Sequence, residues 1–179
     1  MTTTTRPGGL TGDYVLDTAR TRIRFAARAA VVTRVRGRFD EFEGGVRLDG
    51  DAPSRSTARL TIRAASVRTH HRKRDDHLRS HDFLDADRHP VIAFASTRIQ
   101  QVDETTFEVT GDLTVRGVTK PVTVDLALTG AENGPRGVVR VGFTGDAVVN
   151  RKDWGVSGGG GLIGAKVRLE FDITAIRQP

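Results

Sequence analysis

Apolar and polar side chains alternate along most of the chain with the two-residue period of a strand that has one dry face and one wet face. In residues 21–29, Ile23, Phe25, Ala27 and Ala29 fall on one parity, and Arg22, Arg24, Ala26 and Arg28 on the other. The pattern returns in residues 58–64, at Ile92 and Phe94, and in residues 107–116, where Phe107, Val109, Gly111, Leu113 and Val115 oppose polar neighbours. Val122, Val124, Leu126 and Leu128 repeat it, as do Val139, Val141 and Phe143, and finally Val167, Leu169, Phe171 and Ile173. With residues 14–17 and 37–48 added, about eight or nine strands are predicted. Phe39, Phe42, Val46 and Leu48 do not share a parity, which predicts a bulge near Gly44 and Gly45.

Turn-forming clusters separate these strands at residues 49–53, 117–121 and 132–135. Such short links imply antiparallel pairing. A meander of about eight strands loses its exposed edges by closing into a barrel, which is either filled by side chains or holds one small ligand. The inward parity is rich in Ala, Val, Ile and Leu and thinned by Gly111, Gly142 and Gly145, which leaves room for a cavity.

One segment breaks the period. In residues 74–94, RDDHLRSHDFLDADRHPVIAF, three histidines stand among five aspartates. A short helix is predicted over residues 71–83, with Thr69 as its cap and Leu78, Phe83 and Leu84 on its buried side. Pro90 ends that segment and starts the next strand. His77 and His81 are four residues apart, a helical spacing that suits a shared metal ion. HLRSH lacks the glutamate of a zinc-peptidase helix, and no third ligand is fixed by spacing, so the expected role is a polar helix face capping the barrel. Asp75 and Asp76 are adjacent and point apart on a helix, which does not suit paired acid/base work.

Composition removes further chemistry. The sequence contains no cysteine, hence no disulfide, thiolate metal site or cysteine nucleophile. No run of about 18 apolar residues suits a membrane span, and MTTTTRPGGLTGD has no apolar stretch of the kind a signal peptide needs. The expectation is a cytoplasmic protein with a disordered lead over residues 1–12 and one barrel domain over residues 13–177. The net charge of +6 is unevenly placed: Arg20, Arg22, Arg24, Arg28, Arg34, Arg36 and Arg38 lie between Asp17 and Asp40 with no acid among them. That excess suits an anionic partner, whether phosphate, lipid headgroup or nucleic acid, or else a solvated sheet face.

Several motifs in order carry a family resemblance. The run RDDHLRSHDFLDADRHPVIAFAST, the upstream VVTRVRGRFDEFEGGVRLD, and the downstream FEVTGDLTVRGVTKPVTV and NRKDWG together resemble the YceI-like family of lipid-binding barrels over residues 13–177. The resemblance implies an extended, antiparallel, lipocalin-like β-barrel of about eight strands. It also implies an amphiphilic isoprenoid ligand, a polyprenyl chain or quinone tail, held without catalysis, in a protein that is plausibly a homodimer. Neither cofactor, metal nor catalytic residue is assigned, and neither nucleic-acid binding nor stable membrane insertion is expected. Where family members commonly have histidines, this chain has Arg20-Thr21 and Ala29, and SGGGG follows the NRKDWGV stretch directly.

The residues expected to line the cavity are Ile23, Phe25, Phe39, Phe42, Leu60, Ile62, Phe83, Phe94, Leu113, Phe143, Trp154 and Leu162. Trp154 is the leading candidate, with its indole N–H toward a polar headgroup and Arg151 and Lys152 beside it. Competing readings are a metal-dependent hydrolase using His77 and His81, and nucleic-acid binding through the basic first strand. The arginines of that strand are not interleaved with exposed aromatics, as a stacking platform requires.

Overall fold

The computed structural model describes residues 7–29 and 33–179. Eleven strands and one helix follow in chain order: β1 (Gly12–Leu16), β2 (Arg22–Ala29), β3 (Thr33–Phe39), β4 (Phe42–Leu48), β5 (Thr57–Arg63), β6 (Val67–Arg68), α1 (Arg72–Arg79), β7 (Val91–Gln101), β8 (Thr106–Val115), β9 (Val118–Asn133), β10 (Val139–Asn150) and β11 (Ile163–Arg177). Every pairing is antiparallel. Eight strands close a ring in the order β1-β4-β5-β7-β8-β9-β10-β11, and β11 returns to β1 through Tyr14 opposite Arg177 and Leu16 opposite Ala175. The barrel is all-β apart from its one short helix, as the alternation predicts.

Three strands lie outside that ring because β11 is longer than one neighbour can cover. Its last residues pair with β1, while residues up to Asp172 pair with β2 on the same edge, followed by β3 and β6. The ladder therefore changes partner at Ile173 and Thr174. Thr21 fills that junction: its hydroxyl donates to the Thr174 carbonyl at 3.1 Å and accepts from the Thr174 amide at 3.1 Å. The side chain is only 1% exposed, so no water replaces it. The Asp17 amide also donates to the Thr174 carbonyl at 2.8 Å, so the hydroxyl stands in for the missing partner of the Thr174 amide.

Two corrections concern the first half of the chain. Phe39 ends β3 and Phe42 begins β4, with Asp40 and Glu41 between them, so the residues compared for parity belong to different strands. Within β4, Phe42, Gly44, Val46 and Leu48 keep one parity and the register runs unbroken from Phe42 opposite Ile62 to Arg47 opposite Thr57, with no bulge at Gly44–Gly45. The helix is shorter than residues 71–83 and is capped by His71, whose Nδ1 accepts from the Arg74 amide at 3.2 Å. It stops because Ser80 turns extended and donates from both its amide and its hydroxyl to the His77 carbonyl. Of the expected lead, residues 1–6 lie outside the described residues, whereas Leu10 is buried in the core and accepts a 2.8 Å hydrogen bond from the Tyr14 hydroxyl.

Replacing Thr21 by valine keeps the shape and removes both of its bonds, leaving the part-buried Thr174 amide unpaired. The expected loss is about 2 kcal/mol, seen as a fall in Tm of roughly 5 °C in thermal denaturation.

Candidate functional site

The barrel interior holds a cavity of about 320 Å³, within the range of small-ligand sites. Its wall is built from the inward parity of the strands. The buried cores sit toward the ends, several of their residues also facing the lumen: Leu10, Tyr14, Leu16, Val139, Val141, Phe143 and Ala175 at one, and Phe83, Val122, Val124, Ala147, Trp154 and Val156 at the other. A third cluster around Ile23, Ile62 and Ile92 packs beneath the turn that follows α1.

Glycine keeps the lumen open at two places. A Cβ on Gly37 would stand 2.3 Å from Phe25, and one on Gly111 would stand 2.5 Å from Phe94. In each case the ring lies over a glycine on the neighbouring strand. The rings therefore lie along the wall and do not cross the lumen. Phe25 and Phe39 pack with their centroids 5.5 Å apart, continuing the apolar surface.

Ten of the twelve residues expected at the cavity line it: Ile23, Phe25, Phe39, Leu60, Ile62, Phe83, Phe94, Leu113, Phe143 and Trp154. Phe42 is used as packing between two core clusters. Leu162 is 74% exposed. Gly159, Gly160 and Gly161 all have positive φ, and the tight turn they make leaves Leu162 outside the wall before β11 begins. Alternation also brings Val109, Leu126, Val167, Leu169, Phe171 and Ile173 to the lining; their parity was legible, but they were not singled out.

Trp154 and Arg151, the residues expected to meet a polar headgroup, have their hydrogen bonds committed elsewhere. The Trp154 indole donates to the Leu113 carbonyl at 2.9 Å, so it does not offer its N–H to a headgroup as expected. Arg151 is buried, and desolvation lowers its pKa. Its guanidinium donates to the carbonyls of Gly164, Val156, Gly158 and Ile163 at 2.7–3.0 Å and lies 5.8 Å from the centre of the Phe83 ring. It therefore clamps the glycine loop to the barrel end. The sequence places a cation there, but only the folded loop turns four carbonyls toward it.

The same end carries the histidine and aspartate cluster. Arg74 donates to the Thr69 hydroxyl and carbonyl, and the Thr69 amide and hydroxyl donate to the buried Asp75 carboxylate at 2.8 and 2.5 Å. Burial opposes ionisation of Asp75, but the two bonds from Thr69, with Arg79 and Arg74 behind them, outweigh it and hold the carboxyl below its usual range. His77 lies on α1 and His81 in the following turn, both against Asp82, at 2.8 and 3.3 Å. The hydrogen bond from His77 is the chief cause that lowers the Asp82 pKa. Among the described residues no group of three or more His, Cys, Asp or Glu is arranged to hold a metal ion. The cavity lining contains no carboxylate. The turn is fixed to the barrel by Arg116, which donates to the carbonyls of His81 and Phe83, and by the Gly158 amide, which donates to the Asp82 carbonyl at 2.9 Å. The arrangement can enclose an apolar chain by contact, and the polar groups around it hold the enclosure shut.

Comparison with known proteins places this geometry. A family model for the YceI-like domain matches residues 14–175. A UPF0312 protein of Pseudomonas paraeruginosa is 40% identical over 142 residues, covering 79% of this chain and 74% of the relative. The crystal structure of Burkholderia cenocepacia BcnA superposes with a TM-score of 0.78 at 24% identity, covering 89% of this chain and 98% of that one. A polyisoprenoid-binding domain from Saccharophagus degradans, implicated in plant cell wall breakdown, superposes with a TM-score of 0.75 at 17% identity, covering 92% and 98%. No described helix is long and apolar enough to cross a membrane.

Two outcomes are expected. Gly111→Ala drives a methyl against Phe94 and the Ala95 carbonyl, costs about 1–3 kcal/mol and pushes the ring into the lumen, so uptake of an apolar fluorescent probe falls below wild type. Asp75→Asn is less stable than wild type at neutral pH. Because the folded pKa of Asp75 is depressed, its contribution is present above the unfolded value near about 4 and is lost as pH falls through the folded one. Melting curves of the two proteins should therefore converge in acid and stay apart at neutral pH.

Proposed function

This chain belongs to the YceI-like domain family, and we propose that it binds an amphiphilic isoprenoid lipid, a polyprenyl chain or a quinone tail, and carries it in the barrel without altering it chemically. One observation carries the reading: a ring-closed barrel with a cavity of about 320 Å³ whose wall is almost entirely hydrocarbon. Such a space gives no directional recognition, and affinity comes from removing methylenes from water, at about 0.8 kcal/mol each. About ten buried methylenes would give roughly 8 kcal/mol before the costs of association. A flexible, repetitive hydrocarbon suits this wall better than a compact polar metabolite does. The fold it shares with a polyisoprenoid-binding domain supports the same class of cargo.

Native mass spectrometry of gently purified protein, followed by solvent extraction, tests the proposal. The expected result is an apolar adduct, released as an isoprenoid, that falls at least roughly tenfold when Ala27→Trp fills the lumen. Failure of the protein to take up added polyprenol or quinone would overturn it. A stoichiometric metal adduct without lipid would also overturn it and return weight to His77 and His81.

A further inference from the structure

The outer face of the β2–β3 hairpin carries more guanidinium groups than the protein supplies with acids. Alternation turns Phe25, Ala27, Val35 and Phe39 to the cavity and puts Arg24, Arg28, Arg34, Arg36 and Arg38 on the opposite parity, Arg24 also touching the cavity. The register then sets Arg24 opposite Arg38, Arg28 opposite Arg34, and Arg38 opposite Arg68 of β6. Like charges directly opposite each other destabilise a sheet. Asp40 serves Arg38 at 2.7 Å and Arg68 at 3.3 Å. On β11, Asp172 stands opposite Arg22 and Glu170 opposite Arg24, but the next outward residue is Arg168, itself engaged by Asp146 at 2.6 Å. Toward the hairpin end, Arg28, Arg34 and Arg36 form no ion pair among the described residues, and the connecting Ala30, Val31 and Val32 contribute no carboxylate.

Guarding of a sheet edge does not explain the array. β2 is an interior strand with β11 on one side and β3 on the other, so Arg24 and Arg28 shield no edge. Guanidinium groups match phosphate oxygens in geometry and charge. Two features favour a lipid surface over a nucleic acid. None of the large apolar side chains exposed on the described surface is aromatic, so bases find no stacking platform. The exposed Leu162 immediately precedes Ile163, which pairs with Ala29 at the hairpin end, so an apolar side chain stands beside the unpaired arginines.

We propose that the outer face of β2 and β3 docks the protein on an anionic phospholipid bilayer, with Arg28, Arg34 and Arg36 on headgroup phosphates and Leu162 entering the interface. Binding is peripheral, comes mainly from surface charge with a smaller contribution from Leu162, and is independent of any cargo in the barrel.

Co-sedimentation of the full chain with vesicles free of isoprenoid tests this without invoking the cargo. The protein should bind phosphatidylcholine vesicles containing about 30% phosphatidylglycerol, leave pure phosphatidylcholine vesicles unbound, and be released near 1 M salt, where screening is complete within about 3 Å. The triple variant Arg28→Gln, Arg34→Gln, Arg36→Gln should bind roughly 100-fold more weakly, while the corresponding lysine variant retains most of the binding. Leu162→Ser should weaken vesicle binding severalfold. The wild-type salt and lipid series stands whether or not the variants fold, and melting curves check that they do. Equal binding to neutral and anionic vesicles would overturn the proposal, as would binding to a DNA oligonucleotide with none to vesicles.

Discussion

The molecule depends on the way one edge of β11 is shared between two strands. A closed ring of eight strands needs β11 to meet β1, yet the pairing with β1 uses only the end of a 15-residue strand. Without β2, the rest of that edge would be an open row of backbone donors and acceptors, which is costly inside and adhesive outside. β2 takes it, and Thr21 bridges the junction between the two partners. The barrel becomes longer than its closed ring, and the added hairpin supplies both more cavity wall and a separate outer face.

A lumen survives in this barrel because large and small residues alternate across neighbouring strands. Two phenylalanines lie against the wall where a neighbouring strand presents Gly37 or Gly111. Bulky packing is concentrated at the ends, where it closes the barrel and does not occupy its middle. Polar side chains at the α1 end bind backbone carbonyls of the loops there. Four such bonds from Arg151 and two from Arg116 fix the glycine loop and the Phe83 turn. Hydrocarbon lines the cavity, and hydrogen bonds hold its end in place.

Much of this was legible in the sequence because a strand's period is two, so parity alone assigns a face. It identified ten cavity residues and the antiparallel barrel. It failed where parity was compared across a turn: Phe39 and Phe42 belong to different strands, and the two residues between them carry no glycine or proline to announce the break. The helix end was missed because it depends on Ser80 bonding back to His77 and not on a glycine or proline stop. Trp154 and Arg151 were recognised as special, but their partners are carbonyls of distant or irregular backbone, which have no sequence signature. Leu162 was expected at the cavity, but the glycines before it decide which way the chain faces.

The two ends of the barrel are built differently, and that difference bears on where the proposed cargo would enter. One end is closed by Leu10, Tyr14, Leu16, Val139, Val141 and Phe143, packed as a continuous apolar cluster within the ladder of the closed ring. Opening it would expose hydrocarbon and break strand pairing together. At the other end α1 is a two-turn helix flanked by loops, and the turn after it is held both by Phe83 in the apolar cluster and by hydrogen bonds to backbone carbonyls. Such bonds are each worth about 1 kcal/mol net, because water replaces them when they break. Water can take over those bonds, whereas parting Phe83 from Val122, Trp154 and Val156 exposes hydrocarbon at this end as well. The glycine loop and the Ala29–Thr33 end of the β2–β3 hairpin lie at that same end, Ile163 pairing with Ala29. A bilayer that engages the arginine face would thus meet the protein beside the loops of the α1 end, with Leu162 between the two.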